Sequence, residues 1–148
     1  MLDTLSELFG RELQKLEEEI KSFSNESLLW KTTGEIKNSA GNLCLHLCGN
    51  MQHFIGAGLG KSGYIRNRDA EFSSTNISRE KLVEEIQKTK ESVAGSLKKI
   101  SDADLQTVYP QNFLGKDVTT EYFLIHLLSH FDYHLGQINY LRRIIEKN

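Results

Sequence analysis

A single proline, Pro110, does most to constrain the fold of this 148-residue chain. Proline has no amide hydrogen and its ring clashes with the preceding helical turn, so it ends or kinks helices. With only one, placed late, the long stretches on either side are free to be helical. The apolar residues use that freedom. Leu2, Leu5, Leu8, Phe9, Leu13, Leu16, Ile20 and Phe23 recur at spacings of three and four. That spacing predicts an amphipathic first helix with charged residues on its other face.

Three further helices follow by the same reasoning. Ser22 to Ser27 is a polar break, and the segment from there to Lys37 carries Trp30 and Gly34 with no clear period. We read it as an ordered connection, with Trp30 either plugging the bundle end or walling a cavity. Asn38-Ser39 offers an N-cap to a second helix reaching Gly56 or Gly60. The polar stretch GKSGYIRNRDAEFSSTN then reads as a loop. Ser78 opens a third helix, with Ile77 and Leu82 as a hydrophobic staple, and Leu82, Ile86, Val93, Leu97 and Ile100 as its apolar face. Thr119 opens the fourth, with the staple pair Val118 and Phe123, and it runs to about Lys147. Four long helices with no convincing strand predict an all-α four-helix bundle, one domain over residues 1–148. Connections of this length suit functional loops or a crossover topology.

Composition excludes several function classes. Eighteen basic residues face twenty acidic ones, for a net charge of -2. No basic field draws the chain to nucleic acid or to an anionic membrane. Two cysteines cannot build a disulfide scaffold. The opening MLDTLSELFG lacks a signal pattern, and no apolar run reaches membrane-spanning length. The expectation is a soluble cytoplasmic protein.

The five histidines are distributed unevenly. His46 and His53 fall on the second helix, and His126, His130 and His134 on the fourth. His130 and His134 are one turn apart, so their rings can converge on one point. At about 100° per residue, His134 lies within the apolar sector of the last helix and His130 at its edge. Gln137 falls just beyond His130. His46, Asn50 and His53 form a separate stripe on the second helix. Three imidazoles from two helices suit a divalent transition metal, with a coordination position left open. Spacing alone leaves a second reading open, in which these are core-edge histidines bonded to backbone or polar side chains.

Two sequence patterns now carry a resemblance. N-L-C-L-H-L-C-G-N over 42–50 and H-F-D-Y-H-L-G-Q-I over 130–138 resemble the DinB/YfiT-like superfamily. H-x-x-Y-H-x-G-Q-I is its most specific mark. HLCGN followed by GAGLG and RNRDAEF resembles a subgroup of small bacterial DinB-like proteins. The match spans essentially the whole chain. It implies a four-helix bundle, often a homodimer, with a three-histidine site for zinc or nickel. His46 matches the first ligand, in an H-L motif, and His130 and His134 match the other two. His53 competes for the first position. Asn50, His53 and Gln137 become candidates to bind ligand or orient the histidines. Characterised relatives include low-molecular-weight thiol transferases and a thiol-dependent maleylpyruvate isomerase. The resemblance therefore implies a metal-dependent transferase or hydrolase acting on a small molecule, with a low-molecular-weight thiol as a possible cofactor. The alternatives are a non-enzymatic metal or small-molecule binding module, stress-associated, and a dimeric bundle that no longer binds metal.

Other signals are set aside on context. Gly58, Gly60 and Gly63 spell G-x-G-x-x-G, and the same stretch nearly spells a phosphate-binding loop with Ile55 in place of its first glycine. Both motifs need a strand before and a helix after, and here a helix precedes. Cys44 and Cys48 lie roughly opposite His46 on their helix, which places them in the core. No Glu-x-x-His pair exists for a di-iron site, and Asp132 points away from His134. Tyr122, His126, Tyr133 and Tyr140 share a side of the last helix that could serve a dimer.

Overall fold

The computed structural model describes residues 1–147. Its helices are α1 (Leu2–Ser22), α2 (Ala40–Met51), α3 (Arg68–Ser73), α4 (Arg79–Leu97) and α5 (Thr120–Lys147). Around the bundle the order is α1, α4, α2, α5. The sequence neighbours α1 and α2 therefore face each other across a diagonal. The long connection between them makes that crossing, and it includes a 3₁₀ turn at Glu26–Trp30.

The expected caps set the helix starts. Ser39 accepts from the Asn42 amide at 3.2 Å, Ser78 from Lys81 at 3.2 Å and Thr119 from Tyr122 at 3.1 Å. Each meets an amide hydrogen that the first helical turn leaves without a partner. Leu82 and Phe123, the inner members of the two staples, are fully buried. Leu5, Phe9, Leu13, Leu16 and Ile20 of α1 meet Phe131 and Ile138 of α5 in one core. Each such side chain stabilises the fold by about 1.5–3 kcal/mol through removal from water.

Trp30 fits the plug reading. Its ring lies against Gly41, where an added Cβ would come within 2.8 Å of it, and its Nε1 donates to the Ile77 carbonyl at 3.1 Å. It thus ties the start of α2 to the start of α4. Cys44 and Cys48 are buried and free. Their mutual hydrogen bond and their burial hold the Cys44 thiol well above its ordinary pKa, so it stays protonated and inert.

Two features depart from the expected plan. The stretch read as a polar loop contains α3. Asn67 caps it, accepting from the Ala70 amide at 3.1 Å. Six residues are too few to show a helical period, and α3 is held from outside. The Asn42 amide donates to the Glu71 and Ser74 carbonyls at 3.0 and 2.8 Å. The second departure is that α2 continues as a π-helical turn over Gln52–Ala57. There the Gly58 amide reaches back to His53 at 3.0 Å, one residue further than in an α-helix. That leaves the Phe54 carbonyl open, and the buried Tyr109 hydroxyl donates to it at 2.7 Å.

Candidate metal centre

Helices α2 and α5 run antiparallel along a shared groove, with Phe54 near Phe123 and His46 near His130 and His134. His46 is buried and the other two are half-buried. One nitrogen from each of the three rings lies within 4.8 Å of the other two. The His46 and His130 Nε2 atoms are 3.3 Å apart. His53, the competitor for the first position, is not in this group. It sits against Phe54, with ring centroids 4.6 Å apart. Asn50, which falls between His46 and His53 in sequence, is buried and its Oδ1 has no partner.

Two of the three rings are held from behind. His46 Nδ1 lies 3.0 Å from Glu71 Oε1. Arg66 Nη2 also lies 3.3 Å from Nδ1, but the carboxylate is nearer and two acceptors would repel at 3.0 Å, so we assign the proton to Nδ1 and the free lone pair to Nε2, facing the cluster. Arg66 grips the same carboxylate with both prongs, Nε to Oε2 and Nη2 to Oε1, each at 2.9 Å. Burial pushes the Glu71 carboxyl up, but the bonds from His46 and Arg66 outweigh it and leave the group below its ordinary value. Glu71 is therefore an anion, and Arg66 balances its charge. His134 Nδ1 meets the Gln137 Oε1 at 2.7 Å, which turns its Nε2 inward in the same way.

Sequence reasoning found Gln137 and missed Glu71 and Arg66. Both lie in the RNRDAEF string, 25 and 20 residues from His46, and reach it because α3 folds back over α2. Gly49 makes the approach possible. A Cβ there would stand 1.9 Å from Glu71 Oε2.

The donor set fits a divalent metal. Burial, then the neighbouring His134 and His46, lower the His130 pKa to about 4, and burial lowers that of His134 as well. Both are neutral at pH 7, the form that binds metal. His130 Nδ1 is buried without a partner. If His130 carries its proton on Nδ1, that proton has no acceptor and two lone pairs face each other across 3.3 Å. If it carries the proton on Nε2, the buried Nδ1 lone pair is orphaned. In the first tautomer a shared cation resolves the clash of lone pairs. Carboxylates behind ligand imidazoles, as Glu71 stands behind His46, are a common feature of metal sites. No carboxylate joins the group itself among the described residues. Asp132 is exposed, sits beside the like charge of Glu12 and is not part of the histidine group.

Comparison with known proteins agrees with this fold. The crystal structure of the conserved protein of locus from Enterococcus faecalis superposes with a TM-score of 0.78 at 15% identity, over 100% of this chain and 98% of that one. That of a DinB-like protein from Bacillus cereus ATCC 10987 superposes with a TM-score of 0.68 at 20% identity, over 89% and 84%. No curated protein matches. The family described as protein of unknown function DUF1572 matches residues 1–148. The chain belongs to that family, and its bundle is DinB-like.

Proposed function

We propose that the chain is a metal-dependent enzyme in which His46, His130 and His134 hold a zinc or nickel ion and a small molecule reacts beside it. The observation that supports this most is the convergence of three imidazole nitrogens within 4.8 Å, two of them oriented from behind. When bound, such an ion supplies Lewis acidity, which makes a water or a thiol an anionic nucleophile at neutral pH. The protein's own part is to keep the three rings neutral, fix their tautomers and leave one side open. His130 and His134 are only half-buried, so a ligand can approach. We assign to Asn50 the role of accepting a hydrogen bond from a ligand, and its unpaired Oδ1 supports that assignment. A low-molecular-weight thiol transfer to an electrophile is the reaction class we favour. We place the protein in the cytoplasm, where the free thiols of Cys44 and Cys48 stay reduced. We also propose a homodimer formed through the exposed side of α5.

Metal analysis of tag-free protein tests the centre. About one zinc or nickel ion per chain is expected, with loss of that ion in the His130→Ala/His134→Ala variant. Near-zero metal in both proteins would sink the reading. A conjugation screen with metal-loaded protein, common bacterial thiols and electrophiles tests the chemistry. Metal without turnover across the screen would reduce the function to binding.

A further inference from the structure

The groove between α2 and α5 does not end at the histidines. One turn on, past Gln137 on α5 and back to Leu43 on α2, it opens into a cavity of about 300 Å³. Leu43, Leu141, Ile144 and Tyr140 wall it, and the connection before α2 covers it with Ile36. A cavity of that size takes a small organic molecule. Its polar side chains are few, and the one charged group among them is a cation. Lys37, Asn38 and Gln137 line it. Lys37 forms no ion pair, and neither Lys37 nor the Asn38 side chain forms a hydrogen bond, among the described residues. Gln137 gives its Oε1 to His134, which leaves its amide hydrogens to donate. An apolar pocket rimmed by uncommitted donors, one of them cationic, is complementary to an apolar body with an anionic group.

We propose that this cavity binds the organic part of the substrate, and that the substrate is a small aryl or alkyl carboxylate. The proposal rests on the histidine centre being where the reaction occurs. The apolar body fills the space between Ile36, Leu43 and Ile144, and the carboxylate meets Lys37 and Asn38. Gln137 links the two sites, since the side chain that orients His134 also lines the cavity. The near end of a bound molecule, at Gln137 and Leu43, would lie about one helical turn, or roughly 5 Å, from the cluster, and its far end at Ile144 roughly 15 Å along α5 from His134.

The test uses 4-phenylbutyrate and its neutral amide as probes, titrated into zinc-loaded full-length protein by calorimetry. Zinc content is measured on the same samples. The acid is expected to bind at least tenfold more tightly than the amide. Ile36→Trp, a substitution at a position 42% exposed and off α5, should fill the cavity and weaken the acid at least tenfold with zinc unchanged. Lys37→Gln should bring acid and amide together. Zinc bound without any binding of the acid would overturn the pocket and leave the metal centre standing. Binding of the acid by a protein that takes up no zinc would keep the pocket and remove the centre. Equal binding of acid and amide by the unaltered protein would overturn the carboxylate. Sedimentation is run alongside. Dissociation of a dimer by Ile36→Trp, with no binding of the acid by the parent, would show that a second copy covers the cavity and would also overturn the proposal.

Discussion

At the scale of single residues, the site is built from short-range and long-range parts, and only the short-range part was legible. His130 and His134 converge because a helix turns once in about 3.6 residues, a rule that needs no tertiary knowledge. Gln137 is reached by the same rule. Glu71 and Arg66 are not, because their contact with His46 depends on how a loop returns. The signal was present in RNRDAEF, but a carboxylate in a polar stretch reads as solvated until the fold buries it. Gly49 is the clearest residue-scale consequence. In helix α2 an alanine there would ordinarily stabilise by up to about 1 kcal/mol. Here its Cβ would displace the Glu71 carboxylate, which lies 1.9 Å from that position. His46 would then lose the acceptor that fixes its tautomer. We expect Gly49→Ala to weaken zinc binding by about 10- to 100-fold, the usual cost of losing an outer partner. Competition against a chromophoric chelator measures this. An unchanged affinity would mean that Glu71 does not orient His46.

At the scale of elements, the starts of α2, α4 and α5 were legible because each is written in a cap, joined in α4 and α5 by a staple. Ser39, Ser78 and Thr119 all cap as their sequence context implies. The π-helical turn after Met51 was not legible. It depends on Tyr109, more than fifty residues away, to satisfy the carbonyl that the wider turn releases. The Gly58 position shows how tight that junction is, since a Cβ there would lie 2.3 Å from the Tyr109 hydroxyl and 2.4 Å from the Phe54 carbonyl. Tyr109 is 3% exposed and its ring stacks on Phe123 at 4.0 Å. Tyr109→Phe keeps that stack and removes only the donor. The cost of a buried carbonyl left without a partner is about 1–3 kcal/mol. Urea unfolding of the two proteins should show that loss as a lower midpoint at unchanged slope. Equal midpoints would mean that the turn holds its own carbonyl by another route.

At the scale of the whole molecule, α5 serves two faces at once. Its inner side packs the core and carries the histidines, while its outer side leaves Tyr122, Tyr133 and Tyr140 between 51% and 67% exposed, with Ile125 and Ile144 beside them. Ser129 and Gly136 lie on the same outer stripe, on either side of Tyr133, and both are exposed. Small residues around one aromatic side chain permit two helices to approach closely. A two-fold axis there would bring the same patch of each copy together. A stable interface needs about 800 Å² from each partner, more than Tyr122 and Tyr133 alone supply, so Ile125 and the residues around the crossing must join it. Crossing at Ser129 and Gly136 rather than lying parallel keeps the far end of α5 clear, and the cavity at Tyr140 and Ile144 stays open. No helix among the described residues is long and apolar enough to cross a membrane, so a bilayer-spanning helix does not account for the stripe. Tyr133→Glu puts a charge at the centre of the proposed crossing. At a site 65% exposed it should change the stability of one chain by no more than about 0.5 kcal/mol. Sedimentation equilibrium should then find a dimer for the parent at micromolar concentration and a monomer for the variant, with helical content the same. A parent that sediments as a monomer, or a variant that stays dimeric, would remove this face from the assembly.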